Sequence, residues 1–447
     1  MIQRFADIIE VPDLRKRVGF TLMALAVYRV GAAIPIPGIN AEALRSVFQA
    51  HANSLLGFLN IFSGGALGRF SIFSMGVMPY INASIIISLL QGAHVIPYLD
   101  RLYKEGELGR RKLNQLTRYL TLFLAAFQSF GLTVAMTKMP TPGNVPVVQD
   151  PTAWFYAVTV LTLTAGTIFI MWLGEQMTEQ GIGNGISLII FAGIVEAIPG
   201  SVFSVIQLVQ AEEIGLFSAL FLAALVAGVI ISVVWVETAQ RKIPVQYAKR
   251  MVGRKMYGGA SSFLPLKVDQ SGVIAVIFAV SLLAVPVTIV QFTPNAPWAQ
   301  KLLDFWSSGN WAYQLIYAGL IIFFCYFYNS VSINPMDLAE NMKKSGGFIP
   351  GIRPGEPTAK HIEWILERIT LGGALFVAAI AVLPDYLRSA FNAPFYLGGT
   401  ALLISVGVAL DTMGQLEAHL IMRHYEGFLK KGRIRQRWFN VGAGGGS

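Results

Sequence analysis

Residues 215–236 read GLFSALFLAALVAGVIISVVWV, with no charged residue and no proline among them. A helix of that length rises about 1.5 Å per residue and crosses a hydrocarbon core of about 30 Å. Lipid offers no partner to an open strand edge, so a run of this kind in a bilayer is helical. Working outward, nine more apolar runs appear, at 18–37, 70–96, 119–138, 152–174, 183–199, 271–292, 312–333, 369–387 and 396–413. The expected fold is all-α integral membrane, with ten transmembrane helices.

Composition points the same way. Apolar residues are 54% of the 447 positions and charged residues only 13%, about half the share of a soluble domain. A soluble chain of this length divides into domains with polar surfaces, and these residues cannot wet such surfaces. Tyr98, Trp154, Trp235 and Trp311 stand near span ends, as in an interfacial aromatic belt. Arg15-Lys16-Arg17 precede the first run, which continues past the length of a leader and has no A-x-A site. That span is expected to be retained rather than cleaved. Gly442-Ala443-Gly444-Gly445-Gly446-Ser447 reads as a flexible linker.

The basic residues sort by side. Arg45, Arg69, Lys138, Lys301 and Arg388 fall on one side and Arg29 lies within the first span; the other 28 of the 34 Lys and Arg accompany the termini and the loops after spans two, four, six and eight. The positive-inside rule puts that side, and both termini, in the cytosol. A wrong span count would scramble this sorting. The expected location is the cell (inner or plasma) membrane.

Charge is scarce inside the spans. Arg29 lies near the outer end of the first and can snorkel. Glu196 and Asp411 lie near the ends of the fifth and tenth. No carboxylate falls near a midplane, which weighs against the main alternative, an inverted-repeat secondary transporter coupled to ions. The spans hold no His/Asp or Ser/His pair, which weighs against an intramembrane enzyme. Five scattered histidines and a single cysteine, Cys325, give no expected metal site, cofactor or internal disulfide. No G-x-x-x-x-G-K-[ST] occurs, so nucleotide-driven work belongs to a partner.

Some segments break the pattern. Ser54–Gly68, SLLGFLNIFSGGALG, is apolar but too short to span. It reads either as an interfacial helix on the membrane or as a short helix folded back into a cavity. Gly181-Ile182-Gly183-Asn184-Gly185 lacks the dinucleotide spacing and reads as a sharp turn into a helix. The long loops 237–270 and 334–368 are rich in glycine, proline and basic residues. They read either as disordered linkers or, given Tyr257, Phe263, Phe348 and Ile352, as ordered hairpins facing phosphate- or carboxylate-rich partners. Pro350, Gly351, Pro354 and Gly355 fix the backbone around Arg353, whose guanidinium offers a two-pronged fork.

Seven motifs run nearly end to end. They are Ile34-Pro35-Ile36-Pro37-Gly38, Met78-Pro79-Tyr80-Ile81-Asn82-Ala83-Ser84-Ile85-Ile86, Glu105-Gly106-Glu107-Leu108-Gly109-Arg110-Arg111-Lys112, Gly181 to Ser187, Leu264-Pro265-Leu266-Lys267-Val268, Pro350-Gly351-Ile352-Arg353-Pro354-Gly355 and Gly398-Gly399-Thr400. In this order, on a ten-span frame, the chain resembles the SecY family of translocon channel subunits. The resemblance implies two inverted five-helix halves around a central pore: residues 1–200, and 201–413 followed by a cytosolic tail, 414–441. The halves divide at the outer loop near Pro199-Gly200.

The resemblance also implies the sites. An apolar pore ring falls on Ile81, Ile85, Ile186, Ile190, Ile277 and Ile404. Residues 54–68 become a re-entrant plug, with Leu59, Ile61, Phe62, Gly64 and Gly65. Ser84, Ser88, Gln91 and Gln128 fall at a lateral gate between spans two and seven, with three and eight alongside. Arg254, Lys255 and Arg353 become contacts for a ribosome or motor. The implied partners are SecE and SecG subunits, the SecA translocation ATPase, the ribosome, signal peptides, unfolded secretory or membrane proteins, and anionic lipids. The implied function is a protein-conducting channel, not an enzyme.

Overall fold

A computed structural model describes residues 11–50, 60, 63–93, 96–138, 146–212, 215–247, 250–252, 255–257, 261–290, 296–306, 310–391 and 399–441. Ten long helices follow the ten apolar runs in order. They are α1 (Pro12–Ala33), α3 (Met78–Gly92), α5 (Glu107–Lys138), α6 (Ala153–Gln180), α7 (Gly185–Gln210), α8 (Leu216–Thr238), α9 (Val273–Val290), α11 (Trp311–Ser332), α13 (Glu356–Phe391) and α14 (Gly399–Val441). Shorter helices join them: α2 (Ala41–Ala50), α4 (Pro97–Lys104), α10 (Pro297–Phe305) and α12 (Pro335–Lys344). By length and composition alone, eight helical stretches among the described residues suffice to cross a membrane. The set leaves out α1, which carries Arg15, Lys16, Arg17 and Arg29, and α3, which has only 15 residues.

Several boundaries differ from the apolar runs. The second span was expected from residue 70, yet helix begins only at Met78. Residues 70–77 are as apolar as a helix, but their backbone is committed elsewhere. Ile36 N donates to Phe70 O (3.0 Å) and Ile72 N to Ile34 O (3.1 Å), and Phe70 and Gly76 both adopt positive φ. The turn expected at Pro199-Gly200 is absent, because α7 continues through Pro199 to Gln210, and the next long helix starts at Leu216. A proline inside a membrane helix is tolerated where nearby side chains satisfy freed backbone groups. In the turns that follow, Ser201 Oγ and Ser204 Oγ back-bond to Ala197 O (2.9 Å) and Gly200 O (3.0 Å) of their own helix. α5 starts about three turns before its apolar run, carrying exposed Arg110, Arg111 and Lys112 on a helical extension. α14 runs on through the expected tail.

One buried cluster joins α1, α3, α6, α7, α8, α9, α11, α13 and α14, so both halves of the chain share a core. A second, with Ile36, Leu44, Val47, Leu67, Phe70, Leu132 and Met136, packs α2 and the turns after residue 63 against α5. α8 exposes Leu216, Phe217, Leu220, Ile231 and Trp235, as a lipid-facing helix does.

The five strands lie within the two long loops. β1 (Gln240–Tyr247) pairs antiparallel with β4 (Ser261–Lys267), Ile243 opposite Leu264, and with β5 (Gly347–Phe348), Gln246 opposite Phe348. β2 (Arg250–Val252) pairs with β3 (Lys255–Tyr257). Ile243, Leu266, Ile349, Ile362 and Leu366 form a core beneath the sheet. The described parts of both loops are therefore one ordered unit rather than linkers.

Candidate functional site

The turn from Gly181 to Ser187 sets the entry of α7. Gly183 has φ +82°, and Asn184 Oδ1 caps the helix by accepting from Ile186 N (3.1 Å) and Ser187 N (3.3 Å). Thr21 Oγ1 on α1 accepts from Ile182 N (3.2 Å), and Gln415 Oε1 on α14 accepts from Gly183 N (2.9 Å). A Cβ at Gly185 would run into the carbonyl oxygen of Gly174. Gly185→Ala is thus expected to destabilise the fold by about 1–3 kcal/mol, the usual cost of overpacking. Thermal unfolding in detergent checks it.

Held this way, α7 presents Ile186 and Ile190. Ile81 and Ile85 sit one turn apart on α3, Ile277 on α9 and Ile404 on α14. Ile81, Ile85, Ile190, Ile277 and Ile404 are all members of the shared buried cluster, and Ile186, half-buried, packs against it. The six thus lie in or against one buried apolar cluster that runs through nine helices of both halves.

Beside this cluster the chain after Asn60 folds into tight turns. Gly64 and Gly65 take φ +63° and +71°, and Leu67–Arg69 form a 3₁₀ turn. Asn60 Oδ1 accepts from Gly68 N (2.7 Å). Leu59, Ile61 and Phe62 lie outside the described residues. Tyr28 Oη donates to Ser63 O (3.1 Å) and Arg29 Nη1 to Gly64 O (3.1 Å). Arg29 was expected to snorkel. Instead its guanidinium pairs with Glu196 of α7, whose carboxylate also faces Arg69 Nη2 at 3.5 Å. Sequence reading treated these charges separately; the available signal was opposite sign near the same end of two spans.

Three of the expected gate residues share a wall. Ser84, Ser88 and Gln91 line a cleft of about 780 Å³ with Arg110, Asn114 and Thr117 of α5 and Tyr328 and Ser332 of α11. Gln128 does not join them. It is buried at a separate, small cleft of about 50 Å³, with Ser63, Ser74, Asn82 and Thr288. Where α3 meets α9, Ser281 Oγ approaches Met78 Sδ at 3.8 Å. Asp269 closes the turn that precedes α9: its Oδ1 accepts from Ser271 Oγ (2.8 Å) and Gly272 N (2.9 Å). Burial holds this carboxyl above the usual range, against the pull of those hydrogen bonds.

On the loop unit, Arg353 is exposed at a turn built by Gly351 (φ +82°) and Gly355 (φ +108°). Ile352 N donates to Ile349 O (3.1 Å), and Thr358 Oγ1 donates to the carbonyl of Arg353 (2.8 Å). The backbone that carries the guanidinium is thus fixed. Lys255 pairs with Val252 across the β2–β3 ladder. Arg254 lies outside the described residues.

The family model for SecY matches residues 71–413. The chain belongs to the SecY family. Among its relatives, the protein translocase subunit SecY of Aquifex aeolicus is 46% identical over 432 residues, covering 96% of this chain and all of that protein. The SecY subunit of Halalkalibacterium halodurans is 48% identical over 442 residues, with 96% and 100% covered. SecY of Escherichia coli K12 is 46% identical over 426 residues, with 95% of each covered. Among solved structures, "The structure of a protein conducting channel" superposes with TM-score 0.65 at 17% identity, covering 90% of this chain and 92% of that one. Sec61 in the canine ribosome–channel complex of the endoplasmic reticulum gives TM-score 0.61 at 17% identity, with the same coverage. At that identity these two neighbours establish the fold. Membership of the SecY family makes the chain a multi-pass membrane channel subunit of a protein translocase and not an enzyme. It also removes the transporter alternative.

Proposed function

We propose that this SecY-family chain passes unfolded polypeptides through a constriction formed by Ile81, Ile85, Ile186, Ile190, Ile277 and Ile404. What supports this reading is that five of these side chains, from four helices of both halves, belong to one buried apolar cluster and the sixth packs against it. A channel for polypeptides must admit bulky side chains and still hold back ions. Rings of carbonyls or charges select ions, whereas an apolar constriction offers a dehydrated ion nothing in return. Branched aliphatic side chains can part around a peptide and close again.

The remaining roles follow. Residues 54–68 plug the funnel, and transmembrane segments leave sideways between α3 and α9. Ser84, Ser88 and Gln91 flank that exit on the α5–α11 side; Gln128 serves the wall nearer the plug. The sheet side and both termini face the cytosol of a cell that carries the chain in its inner or plasma membrane. There Arg254, Lys255 and Arg353 meet a ribosome or the SecA ATPase, the basic surface contacts anionic lipids, and SecE and SecG complete the complex. The two halves divide between α7 and α8.

Removing residues 57–67 tests the plug. The segment lies between α2 and α3 and contributes no span, so the protein is expected to accumulate in membranes at wild-type levels. Its channel is expected to open more often in planar bilayers. Loss of the protein from membranes would instead make the segment structural.

A further inference from the structure

The plug reading leaves open what keeps the segment seated. We propose that Glu196 is a positioning residue that latches the plug's glycine hinge to the N-terminal half of the channel, acting through Arg29. This rests on the assignment of residues 54–68 as the plug.

The latch is built from α1 and α7. Tyr28 and Arg29, adjacent on α1, donate to the consecutive carbonyls of Ser63 and Gly64. These are the carbonyls that flank the start of the positive-φ pair. Glu196 pairs with the same Arg29 that holds Gly64, and so fixes the direction of that guanidinium. One turn earlier on α7, Gly193 gives the hinge room: a Cβ on Gly64 would lie 3.0 Å from Gly193 Cα. Gly193 and Glu196, at i and i+3, therefore share a face. Arg69, which follows the hinge in the 3₁₀ turn, faces the other side of the contact at 3.5 Å. Glu196 lies part-way along α7, where a lone carboxylate would cost free energy, and Arg29 supplies its partner.

The latch lies wholly within the N-terminal half. Parting α3 from α9 at the lateral gate breaks none of its bonds. Gate opening and plug release are thus two steps, and the second requires Gly64 to leave Arg29. The side chains of Arg29, Glu196 and Arg69 remain 39%, 26% and 46% exposed, so mobile ions reach them and salt weakens the latch.

Three channels decide this in planar bilayers: Glu196→Gln, Arg69→Gln, and Glu196→Gln in the channel lacking residues 57–67. Charge-assisted hydrogen bonds are the stronger class, so Glu196→Gln is expected to raise the opening frequency about tenfold. Arg69→Gln, at a longer and more exposed contact, raises it less. Rising salt raises wild-type opening but leaves Glu196→Gln unchanged. In the channel lacking 57–67, Glu196→Gln adds nothing, because the two changes remove one interaction. If Glu196→Gln fails to accumulate in membranes, Arg69→Gln and the salt series on wild type carry the decision. Wild-type opening in Glu196→Gln beside frequent opening in the deletion overturns the latch and leaves the plug standing. An equal Glu196→Gln effect in both backgrounds also overturns it. A deletion that opens no more than wild type removes the plug reading and the latch together.

Discussion

Arg353→Glu inserts and folds as wild type but stops motor-driven transport into vesicles, by about thirtyfold or more. The turn that carries Arg353 is fixed by two positive-φ glycines, by the Ile352–Ile349 hydrogen bond and by Thr358 donating to the Arg353 carbonyl. Little backbone freedom remains to be lost when a partner docks, and that loss is a large part of what association costs. A guanidinium can bind carboxylate or phosphate with two parallel bonds, and interface arginines that do so cost about 2 kcal/mol or more when removed. Glutamate reverses the charge and adds repulsion. Arg353→Lys keeps the charge without the fork and recovers only part of the rate. A solvated loop charge would be worth about 0–1 kcal/mol, and Arg353→Glu would then transport nearly as wild type. Vesicle transport and ribosome binding, each read across a salt series, separate the two.

Replacing Ile81, Ile85, Ile186 and Ile190 together with glycine makes the idle channel leak ions. These residues lie in or against a buried apolar cluster, and an ion in an apolar constriction loses hydration without gaining a ligand. Four glycines widen the gap and let water follow the ion. Three of the four are buried, so the change also leaves cavities, at about 2–5 kcal/mol for each large side chain truncated. The paired change Ile81→Gly with Ile190→Gly limits that cost, and its leak should fall between wild type and the fourfold variant. Steady wild-type conductance in a fourfold variant that accumulates normally would place the seal elsewhere.

Much of the architecture was legible because lipid imposes one rule on every span. Runs such as 215–236 admit only a helix, and the sorted arginines and lysines set the count. The start of α3 was not legible. Residues 70–77 have the hydropathy of a span, and what keeps them out of helix is pairing with Ile34 and Ile36, a tertiary contact. Pro199 misled for a related reason: in a bundle, proline need not end a helix. The isoleucines assigned to the pore are indistinguishable in composition from any lipid-facing isoleucine. Only the family resemblance singled them out, and only three of the six, Ile81, Ile85 and Ile186, fall within its quoted motifs. Arg29 and Glu196 are 167 positions apart, so their pairing needed the packed bundle. The sheet was half visible: the loops carried the right residues for ordered hairpins, but the strand that links them, β5, is two residues long.

The central claim is that the isoleucine cluster surrounds the translocating chain. A photocrosslinking residue placed singly at Ile81, Ile190, Ile277 or Ile404, with a preprotein stalled in mid-transport, tests it most directly. Leu161, exposed on α6, serves as the lipid-facing control. The expected result is crosslinking to the stalled preprotein from the cluster positions on all four helices and none from Leu161. Productive transport with no crosslink from any of the four would contradict the account.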